Sequence, residues 1–114
     1  MTGATFWMQR VPSRGLPTGG TGLRSRALFP ADDPRVPEVY ELTLAPGWFE
    51  HAHEDARRTF EHLTVVRGLL VVQTRGRGTR LGPGDALFFR ADVPHSYRNP
   101  TSTETIVQVV LTDA

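Results

Sequence analysis

What most constrains this chain is its punctuation: from Ala27 onward, short runs of β-prone residues are broken at close and regular spacing by glycine- and proline-bearing turns. That rhythm predicts an all-β sandwich or barrel. Residues 38–44 place Tyr40, Leu42 and Leu44 on one face by the two-residue period of a strand, and Ala45-Pro46-Gly47 stops it. Residues 60–67 form the next predicted strand, ended by Gly68, and residues 69–74 follow at once. Arg75-Gly76-Arg77-Gly78 reads as a hairpin tip leading into residues 79–81. Gly82-Pro83-Gly84-Asp85 turns the chain into residues 86–89, and residues 105–111 make the last long strand. A helical apolar stripe is discernible only over residues 54–60, and it is short.

Composition narrows the class further. A chain of 114 residues is one domain, large enough to close a single core. With 39% apolar and 22% charged residues it falls outside the disordered and membrane classes. No apolar run approaches the ~20 residues of a spanning helix, and the N-terminus lacks the pattern of a secretory signal, so a cytoplasmic protein without membrane contact is expected. The absence of cysteine excludes disulfides and thiolate metal sites. A net charge of +1 gives no global reason to expect direct nucleic-acid binding. All 13 basic residues are arginine, which reads as coding bias of a GC-rich genome.

Residues 1–26 differ from the rest. They hold five glycines, Pro12, Pro17 and four arginines (Arg10, Arg14, Arg24 and Arg26) with no acid, and are expected to form a flexible basic arm. Residues 27–114 are expected to form the barrel.

The segment Gly47-Trp48-Phe49-Glu50-His51-Ala52-His53, with Glu61 and Gly68, resembles the first motif of the cupin family, and the six residues between Glu61 and Gly68 fit it. Residues 82–99, with Pro94-His95 and Asn99 four positions beyond the histidine, resemble the second. The resemblance covers about residues 38–112 and implies a double-stranded β-helix, a small jelly-roll-like barrel. Within the family the wording is similar to the sensor domains of bacterial helix-turn-helix regulators of the xenobiotic-response type. No helix-turn-helix pattern precedes the motifs here, so a stand-alone relative, a fragment or a domain borrowed for another task is expected.

The chemistry follows from the residue types. His51 and His53 are two apart, so on an extended segment both imidazoles face the same way and can bind one ion. Glu61 shares its strand face with Leu63 and Val65, where a carboxylate is costly unless a metal or hydrogen bonds compensate it. With His95 from the second motif, three imidazoles and one carboxylate suit a divalent Fe, Mn, Ni, Zn or Cu ion with coordination positions left open. An ungapped count from Gly47 puts His53 and Asp55 in the pair instead, so His51 and Asp55 compete for one place. Trp48, Tyr97 and Arg67 are the candidate ligand-binding residues. His62, beside Glu61, points to the opposite face, and Asp92 reads as a turn residue.

Two functions fit. One is a ligand-sensing or metal-assisted binding module for a small polar metabolite; the other is a mononuclear metal-dependent enzyme such as a dioxygenase, isomerase or lyase. An open barrel leaves edge strands to be covered, so a homodimer is expected.

Overall fold

Alternation of buried and exposed positions governs the long strands. In the computed structural model, which describes residues 16–17, 22–28, 38–52 and 59–113, ten strands are present and no helix. They are β1 (Leu16–Pro17), β2 (Leu23–Ala27), β3 (Glu38–Leu44), β4 (Phe49–Ala52), β5 (Thr59–Arg67), β6 (Leu70–Thr74), β7 (Arg77–Leu81), β8 (Ala86–Arg90), β9 (His95–Arg98) and β10 (Thr105–Asp113). Among the described residues, none forms a helix long and apolar enough to cross a membrane.

The strands build two antiparallel sheets. One has six strands in the order β1-β2-β3-β10-β5-β8, the other four in the order β4-β9-β6-β7. Their apolar faces meet in a core of Leu44, Leu63, Val65, Leu70, Val72, Val107 and neighbours, all nearly inaccessible. The β5 sequence shows why: Glu61, Leu63 and Val65 are buried while His62 and Val66 are exposed, the period of a strand with one wet face. Burying these side chains contributes about 1.5–3 kcal/mol each and holds the sheets together.

Turn chemistry sets the strand ends. Gly47 and Gly84 have φ of 70° and 86°, each follows a proline, and the flanking bonds Trp48 N to Ala45 O and Asp85 N to Gly82 O close type II turns. The second turn is also docked on β5 through Gly84 N to Val65 O and Val65 N to Asp85 O. Between β6 and β7 the tip is tighter than predicted. Thr74 pairs with Arg77, and Arg75 and Gly76 both have positive φ, which is the two-residue type I′ hairpin matched to strand twist.

Ordered sheet begins earlier than composition suggests. Residues 23–26, expected in the arm, belong to β2, which pairs antiparallel with β3. Leu23 is buried in the core, Arg26 bonds Glu41 directly opposite it at 2.9 Å, and Arg24 bonds Glu104 at 3.1 Å. Two of the four arginines read as a basic arm are therefore ion-paired, Arg26 across the β2–β3 ladder and Arg24 with Glu104 just ahead of β10. The rest of that segment, β1 and Gly22 apart, lies outside the described residues.

Candidate functional site

The inward side of β9 carries His95 and Tyr97, and it faces Glu61 on β5 across the barrel. Glu61 and His95 are buried, at 6% and 8% exposure. The Tyr97 hydroxyl donates to Glu61 Oε2, and the Tyr97 ring meets the His95 ring edge-on with centroids 5.4 Å apart. Phe89 closes on the other side of His95, again edge-on, at 5.3 Å. His95 Nδ1 lies 2.8 Å from Val93 O. A carbonyl oxygen only accepts, so Nδ1 carries the proton, and in the neutral ring the Nε2 lone pair is left for a ligand.

Tyr97 also walls a small apolar cavity in the core, together with Leu23, Leu44, Trp48, Leu63 and Val107. The polar trio thus stands at the margin of a hydrophobic interior, where its charge is poorly solvated and its hydrogen bonds are strengthened.

The residues singled out in the sequence are distributed as follows. Glu61, His95 and Tyr97 converge, and Trp48 joins Tyr97 on the cavity wall. Arg67 is exposed at the end of β5 opposite to Glu61 and takes no part in this cluster. The backbone of His51 lies in β4 opposite Ser96, while Ala52 is the residue opposite His95. His53 and Asp55 lie outside the described residues. Among the described residues no three His, Asp or Glu side chains converge as a metal-binding group. Within this cluster Glu61 supplies the carboxylate and His95 the imidazole that could serve as metal donors. A catalytic zinc-type centre takes three protein ligands, so these two would need a third. His62 is exposed and packs against Phe88 at 4.6 Å. Asp92 is held by Arg90 through two bonds, of 3.0 and 2.6 Å; these hydrogen bonds and then the carboxylate's charge raise the guanidinium pKa above its ordinary value.

Two contributors have no assigned role in the sequence reading. Phe89 was legible only as part of the predicted strand over residues 86–89, without its contact to His95. Asn99 fits the second motif, and the structure supplies its purpose. Fully buried, it directs Nδ2 at the carbonyls of Leu44, Ala45 and Thr103 (3.1, 3.0 and 2.7 Å) and accepts at Oδ1 from Thr101 N and Oγ1. It pins the loop after β9 to the end of β3, and its own N–H donates to Trp48 O, fixing the chain beside the cavity.

Comparison with known proteins gives a consistent picture. A family model described as Cupin domain (Cupin_2) matches residues 40–111. The HTH-type transcriptional regulator SutR of Escherichia coli (strain K12) is 32% identical over 73 residues, which are 64% of this chain and 41% of that protein. The chain therefore spans well under half the length of that relative. The Cupin_2 domain of an XRE family transcriptional regulator from Enterobacter cloacae superposes with a TM-score of 0.77 at 26% identity, over 82% of this chain and 99% of that one. A Cupin 2 conserved barrel domain protein from Salinispora arenicola CNS-205 gives 0.76 at 20% identity, over 97% and 92% of the two chains.

Proposed function

Because this chain belongs to the cupin domain family, we propose that it is a small-molecule-binding module, in which the barrel takes up a small polar metabolite beside Trp48 and Tyr97 and reports it to a partner. The observation that carries this reading is the Tyr97–Glu61–His95 cluster: a carboxylate, a phenol and an imidazole buried together at the edge of an apolar cavity. Polar groups in such a place orient a ligand; the void between the apolar walls is only about 10 Å³, room for at most one water, so uptake of a metabolite requires those walls to part. Similarity to a transcriptional regulator and to the Cupin_2 domain of another supports sensing over chemistry.

A divalent metal at the same cluster is the premise of the enzymatic alternative and an optional aid to the binding module. His95 Nε2 and the Glu61 carboxylate would hold it, completed by His53; position 51 pairs with Ser96 and so shares the outer face of the sheet with it rather than the face of His95. When bound, such an ion would supply Lewis acidity toward a ligand oxygen. Tyr97 would then hold one oxygen of Glu61, and Val93 O would keep the His95 ring in the tautomer that presents Nε2.

One observation favours the enzymatic alternative. The hydroxyl-to-carboxylate contact beside a fixed imidazole is a positioned pair of proton donor and acceptor, as general acid–base chemistry requires.

Metal analysis of the purified 114-residue chain separates the readings. Stoichiometric Fe, Mn or Ni lost in both His53→Ala and His95→Ala would favour the enzyme. Metal-free protein that binds a metabolite, with binding weakened by Tyr97→Phe, would establish the sensor. We also propose a homodimer, and a solution mass that stays at 12.7 kDa at high concentration would refute it.

A further inference from the structure

We propose a second binding site, on the outer face of the four-stranded sheet, for a small aromatic carboxylate. β9 alternates, so while His95 and Tyr97 face inward, Ser96 and Arg98 belong to the opposite face. Across the sheet Arg98 is directly opposite both Phe49 on β4 and Val71 on β6, and Ser96 is opposite Gln73. These five side chains line a groove of about 380 Å³, within the range of small-molecule sites.

The groove is chemically divided. Phe49, half exposed at 49%, and Val71 supply apolar surface beside the guanidinium. Arg24, Arg26 and Arg90 each hold an acid, whereas Arg98 has no ion-pair partner among the described residues. Gln73 and Ser96 likewise have no side-chain hydrogen bond there, although Ser96 is only 9% exposed. No side-chain polar atom among the described residues is sealed from solvent without a partner, so the Ser96 hydroxyl opens onto the groove.

A planar guanidinium binds a carboxylate through two parallel hydrogen bonds. The phenyl and isopropyl groups on either side of Arg98 take the flat body of an aryl acid, and the hydroxyl and amide reach a ring substituent. A compact, fully hydrated anion such as phosphate gains nothing from those apolar flanks. This site is separate from the interior cluster and does not depend on its function.

The test is a titration of the ¹⁵N-labelled full chain with salicylate, followed by two-dimensional NMR. Saturable shifts centred on the amides of Val71, Gln73, Ser96 and Arg98 are expected. Arg98→Gln should weaken binding at least tenfold, and Phe49→Ala should weaken it severalfold. Arg77→Gln, which removes an exposed charge elsewhere, should leave it unchanged, and benzyl alcohol at the same concentration should produce no saturable shift. Each variant's own spectrum verifies its fold. Shifts centred on Leu63 and Tyr97, salicylate binding indifferent to Arg98→Gln, or no saturation would each overturn the proposal. So would groove resonances that respond to protein concentration but not to salicylate, because that result assigns the face to a second copy of the chain.

Discussion

The hydroxyl of Tyr97, on the four-stranded sheet, donates to the carboxylate of Glu61, on the six-stranded sheet, so this hydrogen bond ties the two layers together through the interior. An ionised carboxylate at that depth depends on such donors. Tyr97→Phe removes one and is expected to cost about 1–3 kcal/mol, seen as a lower urea midpoint with unchanged m-value. Direct contact also predicts non-additivity: Glu61→Gln should cost less in the Tyr97→Phe background than alone. Strictly additive losses would show that the two groups do not interact.

Asn99 makes a harsher prediction. Its amide is the shared partner of three carbonyls and of Thr101. Asn99→Ala leaves those groups in a space too confined for full hydration and should destabilise the fold by about 3 kcal/mol or more. Asn99→Asp, which presents oxygen where the carbonyls need a donor, should fail to rescue it. Thermal unfolding followed by circular dichroism would measure both.

Two glycines with similar backbone angles should behave differently. Gly68 and Gly76 have φ of 86° and 77°, so alanine is strained at either, at about 1–2 kcal/mol. At Gly76 an added Cβ meets nothing within 4 Å. At Gly68 it would lie 2.6 Å from Thr105 Oγ1 and 2.9 Å from Glu104 O, and Thr105 is held in place by its bond to Leu69 O. Gly68→Ala should therefore be clearly the more damaging of the pair in denaturant titrations, and equal losses would argue against this packing.

At the β6–β7 hairpin a gain is expected. Arg75 has φ of 47°, the only described non-glycine residue in the left-handed region. Asparagine tolerates that conformation better and precedes Gly76 as type I′ turns prefer. Arg75→Asn should raise stability by about 0.5 kcal/mol, detectable as a small increase in melting temperature.

Much of the fold was legible because long strands advertise their period. β3, β5, β6, β8 and β10 each carry at least two inward apolar residues at alternate positions, flanked by glycine or proline turns. β2 did not, since in Leu23-Arg24-Ser25-Arg26-Ala27 only Leu23 is a large apolar residue, and its pairing is assisted by ion pairs to acids far along the chain. β4 and β9 are four residues long, too short for periodicity to show above noise.

For the site, Glu61 was visible as a charged residue out of place among inward apolar ones, and His95 through the second motif. Their link through Tyr97 was not, because it joins residues 36 positions apart on different sheets. Arg67, equally prominent in the sequence, lies at the wrong end of its strand. The outer groove was invisible, since Phe49, Val71, Gln73, Ser96 and Arg98 come from three strands and share a face only once the pairing is known.

Strand β9 divides its four side chains between two environments, and this fixes its reading frame. Deleting or inserting one residue within β9, between His95 and Tyr97, would rotate the rest of the strand by half a period, turning Arg98 toward the hydrophobic interior and Tyr97 out to water. Homologous barrels should therefore vary freely in the loops at either end of β9 while its length between Pro94 and Asn99 stays constant, since a frameshift there would destroy the carboxylate's partner and the outer groove together.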